Sequence, residues 1–143
     1  MKQISYRLFV YGSLRSGFHH PAYQYISHYF TFVCNGTING LLTDMGEYPA
    51  ATPTSEPLFI KGELYRINNE DEFSWAIGQL DDYEGVNAEE DEAPLFRREL
   101  TDVHTHNNEV FKAWVYWYNG DTTGRPVISS GDVLEYFKGK IKQ

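Results

Sequence analysis

What most constrains this chain is a succession of short β-branched and aromatic runs punctuated by turn formers. The runs are Leu8 to Tyr11, Phe30 to Cys34, Thr37 to Leu42, Leu58 to Ile67, Glu99 to Val103 and Val110 to Tyr118. Between them stand Asn35-Gly36, Asn39-Gly40, Tyr48-Pro49, Asn107-Asn108 and Asn119-Gly120, residue pairs that bend a backbone at low cost. Three segments read instead as helices. Pro21 to Tyr29 carries proline in the first turn, where a missing N–H is tolerated. Asn69 to Tyr83 starts on an Asn cap, and Glu70, Asp71 and Glu72 lie favourably at the positive end of the helix dipole. Asp132 to Phe137 follows Ser129-Ser130-Gly131. Many strands with a few scattered short helices predict an α+β fold built on a small closed or strongly curved mixed β-barrel.

No linker or repeat divides the 143 residues, so 1–143 reads as a single domain, long enough to bury a core without staples. Eleven Tyr, nine Phe and three Trp supply apolar area that a disordered chain lacks. The net charge of −8 argues against a nucleic-acid binder, which needs a basic footprint to displace counterions from phosphates. That charge is local: Asp81 to Glu92 hold seven acids and no base, and the remaining 13 acids face 12 Lys and Arg. Cys34 is the single cysteine, so no internal disulfide forms, and its apolar neighbours predict a buried structural thiol. No apolar stretch reaches the length of a signal-peptide core or a membrane span, which predicts a cytoplasmic location and no membrane partner.

The helix from Asn69 carries the most information. Taking Phe73 as zero and about 100° per residue, Ala76, Ile77 and Leu80 fall within roughly 60° of it. Glu84 lands at about 20°, in the centre of the apolar arc, Asp81 at its edge, and Asp82 at about 180°, facing water. Burial of Glu84 would raise its pKa from a reference of about 4.3 towards the range useful for proton transfer. The alternative is that the helix frays at Leu80 and Glu84 joins the acidic loop before Gly85. A second stretch, Leu8 to Arg15, runs an apolar strand into Gly12-Ser13, where backbone N–H groups can hold an anion. It is neither a phosphate loop nor a Gly-x-Ser-x-Gly elbow, and an ordinary strand-to-loop turn is the plain alternative.

These stretches recur in a recognisable order. Tyr11-Gly12-Ser13-Leu14, Gly46 to Ala50, Lys61-Gly62-Glu63-Leu64-Tyr65 and Leu80-Asp81-Asp82-Tyr83-Glu84-Gly85 come first. Arg97 to Leu100, Ala113 to Tyr118 and Ile128 to Asp132 follow. Together they resemble the gamma-glutamyl cyclotransferase-like family, of gamma-glutamylamine cyclotransferase type, along nearly the whole chain. The resemblance implies a small α+β barrel with one pocket. It further implies that Tyr11, Gly12, Ser13 and Leu14 bind a γ-glutamyl group and that Glu84 accepts the catalytic proton. The chain departs from the family pattern at Phe96, where members often carry Tyr, and at Val133, where they often carry Trp; these departures bear on the leaving group more than on the fold.

The implied reaction converts an L-γ-glutamyl amine or amide to 5-oxoproline and a free amine. The substrate's own α-amine is the nucleophile, which agrees with the lack of a Ser or Cys triad signature. Tyr48, Tyr116 and Tyr118 are further pocket candidates. Arg97 and Arg98 alternate on a strand, so at most one faces inward. His104 and His106 could share a strand face, but with no third ligand they read as solvated, as do His19, His20 and His28; no metal and no cofactor is expected. The partner is a small γ-glutamyl compound, and the oligomeric state is open. The rival readings are a non-catalytic γ-glutamyl-binding module on the same fold and an acidic interaction surface at Asp81 to Glu92.

Overall fold

A computed structural model describes residues 6–11, 21–46, 49–84, 96–133 and 135–136; the side chains of 21–23 and 82–84 lie outside that set. The strands are β1 (Arg7–Val10), β2 (Phe30–Asn39), β3 (Leu41–Asp44), β4 (Pro49–Thr52), β5 (Phe59–Ile67), β6 (Phe96–Thr105) and β7 (Val110–Tyr118). Helix α1 spans Pro21–Tyr29 and α2 spans Phe73–Glu84. Five strands close a mixed barrel in the order β1-β5-β2-β6-β7, while β3 and β4 form a separate two-stranded sheet. Closure is parallel, through Leu8 opposite Trp114, and the other barrel pairings are antiparallel. The expected barrel with short helices is thus present.

Side chains alternate along each strand and feed two apolar clusters. One gathers Phe9, Ile38, Ile60, Leu64, Val103, Ala113, Val115 and Trp117, drawn from all five barrel strands. The other sets Leu8, Val10, Tyr65, Ile67, Phe96, Tyr116 and Tyr118 against Ile26 of α1 and Phe73, Ala76, Ile77 and Leu80 of α2. Both helices therefore pack on the strand face that carries this second cluster. All four apolar residues placed on one arc of α2 by helical spacing are buried there, each large one contributing about 1.5–3 kcal/mol. Asn69 caps a 3-10 turn over Glu70–Glu72, its side chain accepting the Asp71 N–H at 3.0 Å, and α2 continues from it through Glu84.

Several sequence expectations change. Asn35-Gly36 is no turn: Phe30 to Asn39 is one strand, interrupted by a register shift between Phe32 and Cys34. A Cβ on Gly36 would stand 2.8 Å from Val103 Cγ1, so this glycine serves strand approach rather than chain reversal. Pro49 is the first residue of a strand, a position where its missing N–H breaks no ladder. β6 begins at Phe96 rather than Glu99. Cys34 is half-buried rather than buried; desolvation first, and the Glu109 charge second, push its thiol pKa up. From the segment expected as a third helix, the Tyr136 N–H donates to the Asp132 carbonyl at 3.0 Å, and Phe137 lies outside the described residues. Among the described residues no helix is long and apolar enough to cross a membrane.

Candidate functional site

The last turn of α2 holds a buried carboxylate, Asp81, with 7% of its surface exposed. Two strands supply its partners. Arg98 of β6 and Tyr116 of β7 are directly opposed in register, which places their side chains close enough to meet one group. Arg98 donates from Nε to Asp81 Oδ1 at 2.8 Å and from Nη2 to Oδ2 at 3.1 Å, a two-pronged pairing. The Tyr116 hydroxyl donates to Oδ1 at 2.8 Å. The guanidinium carbon also lies 4.4 Å from the centre of the Trp114 ring. Three donors thus hold its two oxygens, which makes Asp81 an anchor for the end of α2.

The end of β1 adjoins this anchor. Tyr11 is buried, and its hydroxyl donates to the Tyr116 carbonyl at 2.7 Å. On the other side of β1, Val10 pairs with Glu63 of β5, a second buried carboxylate, which accepts the Tyr65 hydroxyl at 2.8 Å. Gly62, next in β5, makes room for that pairing: a Cβ there would stand 2.3 Å from the Val10 carbonyl oxygen. Two buried acids thus flank the point where β1 ends, on the face of the barrel that the helices cover.

Glu84 is the final residue of α2, so the helix does not fray at Leu80; its side chain lies outside the described residues. Gly12, Ser13, Leu14 and Tyr48 also lie outside them. Of the described candidates, Tyr11 and Tyr116 join the Asp81 network. Tyr118 is buried edge-on to Phe96, with ring centres 5.4 Å apart. Of the alternating arginines, Arg98 turns inward and Arg97 pairs outside with Glu99 at 2.7 Å. The sequence placed Asp81 only at the edge of the apolar arc and gave no sign of its partners, which lie on distant strands. Glu63 carries no local sequence signal of its own; the β1–β5 pairing sets it opposite Val10.

A separate cleft of about 470 Å³ opens where β2, β5 and β6 meet, lined by Asn35, Thr37, Lys61, His104, His106 and Asp132. The two histidines are exposed, and among the described residues no three His, Cys, Asp or Glu side chains converge on a metal position.

Comparison with solved structures places the same fold in several proteins. YkqA of Bacillus subtilis aligns with a TM-score of 0.72 at 22% identity, over 98% of this chain and 44% of that one. The chain therefore spans less than half the length of that protein. An AIG2-like protein of Mus musculus aligns with a TM-score of 0.63 at 21% identity, over 87% and 86% of the two chains. A gamma-glutamyl cyclotransferase aligns with a TM-score of 0.57 at 14% identity, over 82% and 68%. Comparison with curated proteins gives no significant match. The profile of the family described as "Gamma-glutamyl cyclotransferase, AIG2-like" matches residues 8–135, a span running from β1 through Glu84 to the turn after Asp132. The chain belongs to the gamma-glutamyl cyclotransferase, AIG2-like family.

Proposed function

We propose that the protein is a cyclotransferase that converts an L-γ-glutamyl amine or amide to 5-oxoproline and a free amine. The observation that carries this reading is the family match over residues 8–135, which includes both Tyr11 to Leu14 and Glu84. In the proposed reaction Glu84 takes a proton from the substrate's α-ammonium group. The freed amine attacks the γ-carbonyl carbon, and the tetrahedral centre collapses with cleavage of the bond to the leaving nitrogen, which Glu84 protonates. Of the three ammonium protons, one stays on the lactam nitrogen and two leave with the amine as its ammonium ion. No water is consumed. Holding the chain in a ring-closing geometry supplies much of the acceleration, since oriented intramolecular attack is worth effective molarities of about 10⁵ M or more.

Under this reading backbone N–H groups of Gly12, Ser13 and Leu14 bind the α-carboxylate or the developing oxyanion, and Tyr11, Tyr48 and Tyr118 shape the pocket. One carboxyl group serves as base and then acid, which requires a pKa near the working pH; the apolar arc of α2 favours that for Glu84. The experiment is a panel of γ-glutamyl peptides, γ-glutamyl-ε-lysine and γ-glutamyl polyamines assayed for 5-oxoproline. Wild type is expected to release it from at least one member, and Glu84→Gln to lower kcat by about 10²–10⁴-fold while leaving the thermal midpoint near that of wild type. A fully active Glu84→Gln removes the assignment. Saturable binding with no 5-oxoproline from any compound supports a binding module on the same barrel instead.

A further inference from the structure

The anchor beneath the end of α2 has a consequence for the reaction. Acidic side chains in a last helical turn face the negative end of the helix dipole. The last turn of α2 contains no basic residue, so the compensating cation comes from outside the helix, as Arg98 of β6. Arg98 grips both oxygens of Asp81, Tyr116 opposite it adds a third bond, and Tyr11 is bonded to the backbone of the same Tyr116. One hydrogen-bonded chain therefore runs from the final turn of α2, through the β6–β7 pair, to the residue that follows β1. Glu84 sits one turn beyond Asp81, and the Gly12 to Leu14 segment follows Tyr11 directly.

We propose that Asp81 is a positioning residue: its pairing with Arg98 and Tyr116 sets the placement of the last turn of α2, which carries Glu84, relative to the end of β1 at Tyr11. The proposal rests on the cyclotransferase reading. In that reading Glu84 transfers the proton and Asp81 acts through geometry alone. A misplacement of about 1 Å can cost roughly 100-fold in rate, so the loss belongs in kcat. Neither substrate affinity nor folding should account for it.

The test compares wild type with Asp81→Asn, Arg98→Lys and Tyr116→Phe, using whichever γ-glutamyl compound wild type turns over. Each variant is measured for kcat, KM and urea unfolding midpoint. Asp81→Asn and Arg98→Lys are expected to lose about 10- to 100-fold in kcat with KM changed by no more than about twofold. Arg98→Lys is the informative one, since it keeps the charge and loses the two-pronged geometry. A kcat retained in Arg98→Lys, or a loss in each variant that merely tracks its unfolded fraction, overturns the proposal. Should Asp81→Asn fail to fold, Tyr116→Phe decides alone. It leaves the ion pair in place, so a several-fold kcat loss at an unchanged unfolding midpoint supports positioning, and an unchanged kcat refutes it. Wild-type silence across the panel is a different failure: it removes the proposed reaction, and this inference with it.

Discussion

Asp81 and Glu84 lie one turn apart on α2. The helical wheel left Asp81 at the margin of the apolar arc, yet Asp81 is buried; the inward direction expected for Glu84 falls on a side chain outside the described residues. Periodicity reports direction relative to a helix's own apolar face. It says nothing of a cation arriving from a strand, and Arg98 and Tyr116 are what make burial of Asp81 affordable. A second residue ties the two helices together and has a measurable signature. Tyr25 of α1 donates its hydroxyl to the Ala76 carbonyl of α2 at 3.0 Å. Burial first, and the neighbouring Tyr29 second, push its pKa up from 10.0 to about 12. The folded state thus keeps this proton where the unfolded chain releases it. The contribution is whole below pH 10.0 and is lost as pH rises through about 12. Urea midpoints measured across that window should fall more steeply in wild type than in Tyr25→Phe; parallel slopes would show that Tyr25 does not carry the effect.

At the scale of elements, Gly36 was the misleading signal, whereas Gly62 falls inside a strand as its neighbours predict. Gly36 and Gly62 are register partners in the middle of β2 and β5, and neither turns the chain. A one-dimensional pattern cannot separate a glycine that bends from a glycine that lets another strand come close, because the difference lies in the atoms opposite. Those atoms also rank the two sites. A Cβ on Gly62 meets the Val10 carbonyl oxygen at 2.3 Å, a backbone atom with no rotamer to escape into. A Cβ on Gly36 meets the Val103 side chain at 2.8 Å, which can shift. Gly62→Ala is expected to destabilise by about 1–3 kcal/mol or more, and Gly36→Ala by less, in chemical denaturation. Equal costs would mean that β1 can move away from β5. What was legible at this scale was whatever local chemistry decides: the Asn69 cap, the apolar arc of α2, and the aromatic strand Val110–Tyr118. The bulge in β2, the separate pairing of β3 with β4, and the early start of β6 depend on partners far along the chain.

For the molecule as a whole, a mixed barrel was readable from the density of strand signals, but its strand order was not. The order β1-β5-β2-β6-β7 has the first strand seated between the fifth and the seventh, with no neighbour close to it in sequence. That seating governs how the chain can assemble. The β6–β7 pair is joined by a short turn, whereas β1 finds both of its partners, β5 and β7, far along the chain. Chains dominated by such non-local pairings fold in about milliseconds to seconds. In pulse-labelled hydrogen exchange, amides of Val110–Tyr118 should gain protection before those of Arg7–Val10. Simultaneous protection would show that the ring closes in a single step. On the ribosome the same arrangement reverses the order of synthesis: β1 is made early and must wait for β7 to emerge. The Tyr11 phenol, and with it the join to the end of α2, is then among the last contacts the nascent protein can complete.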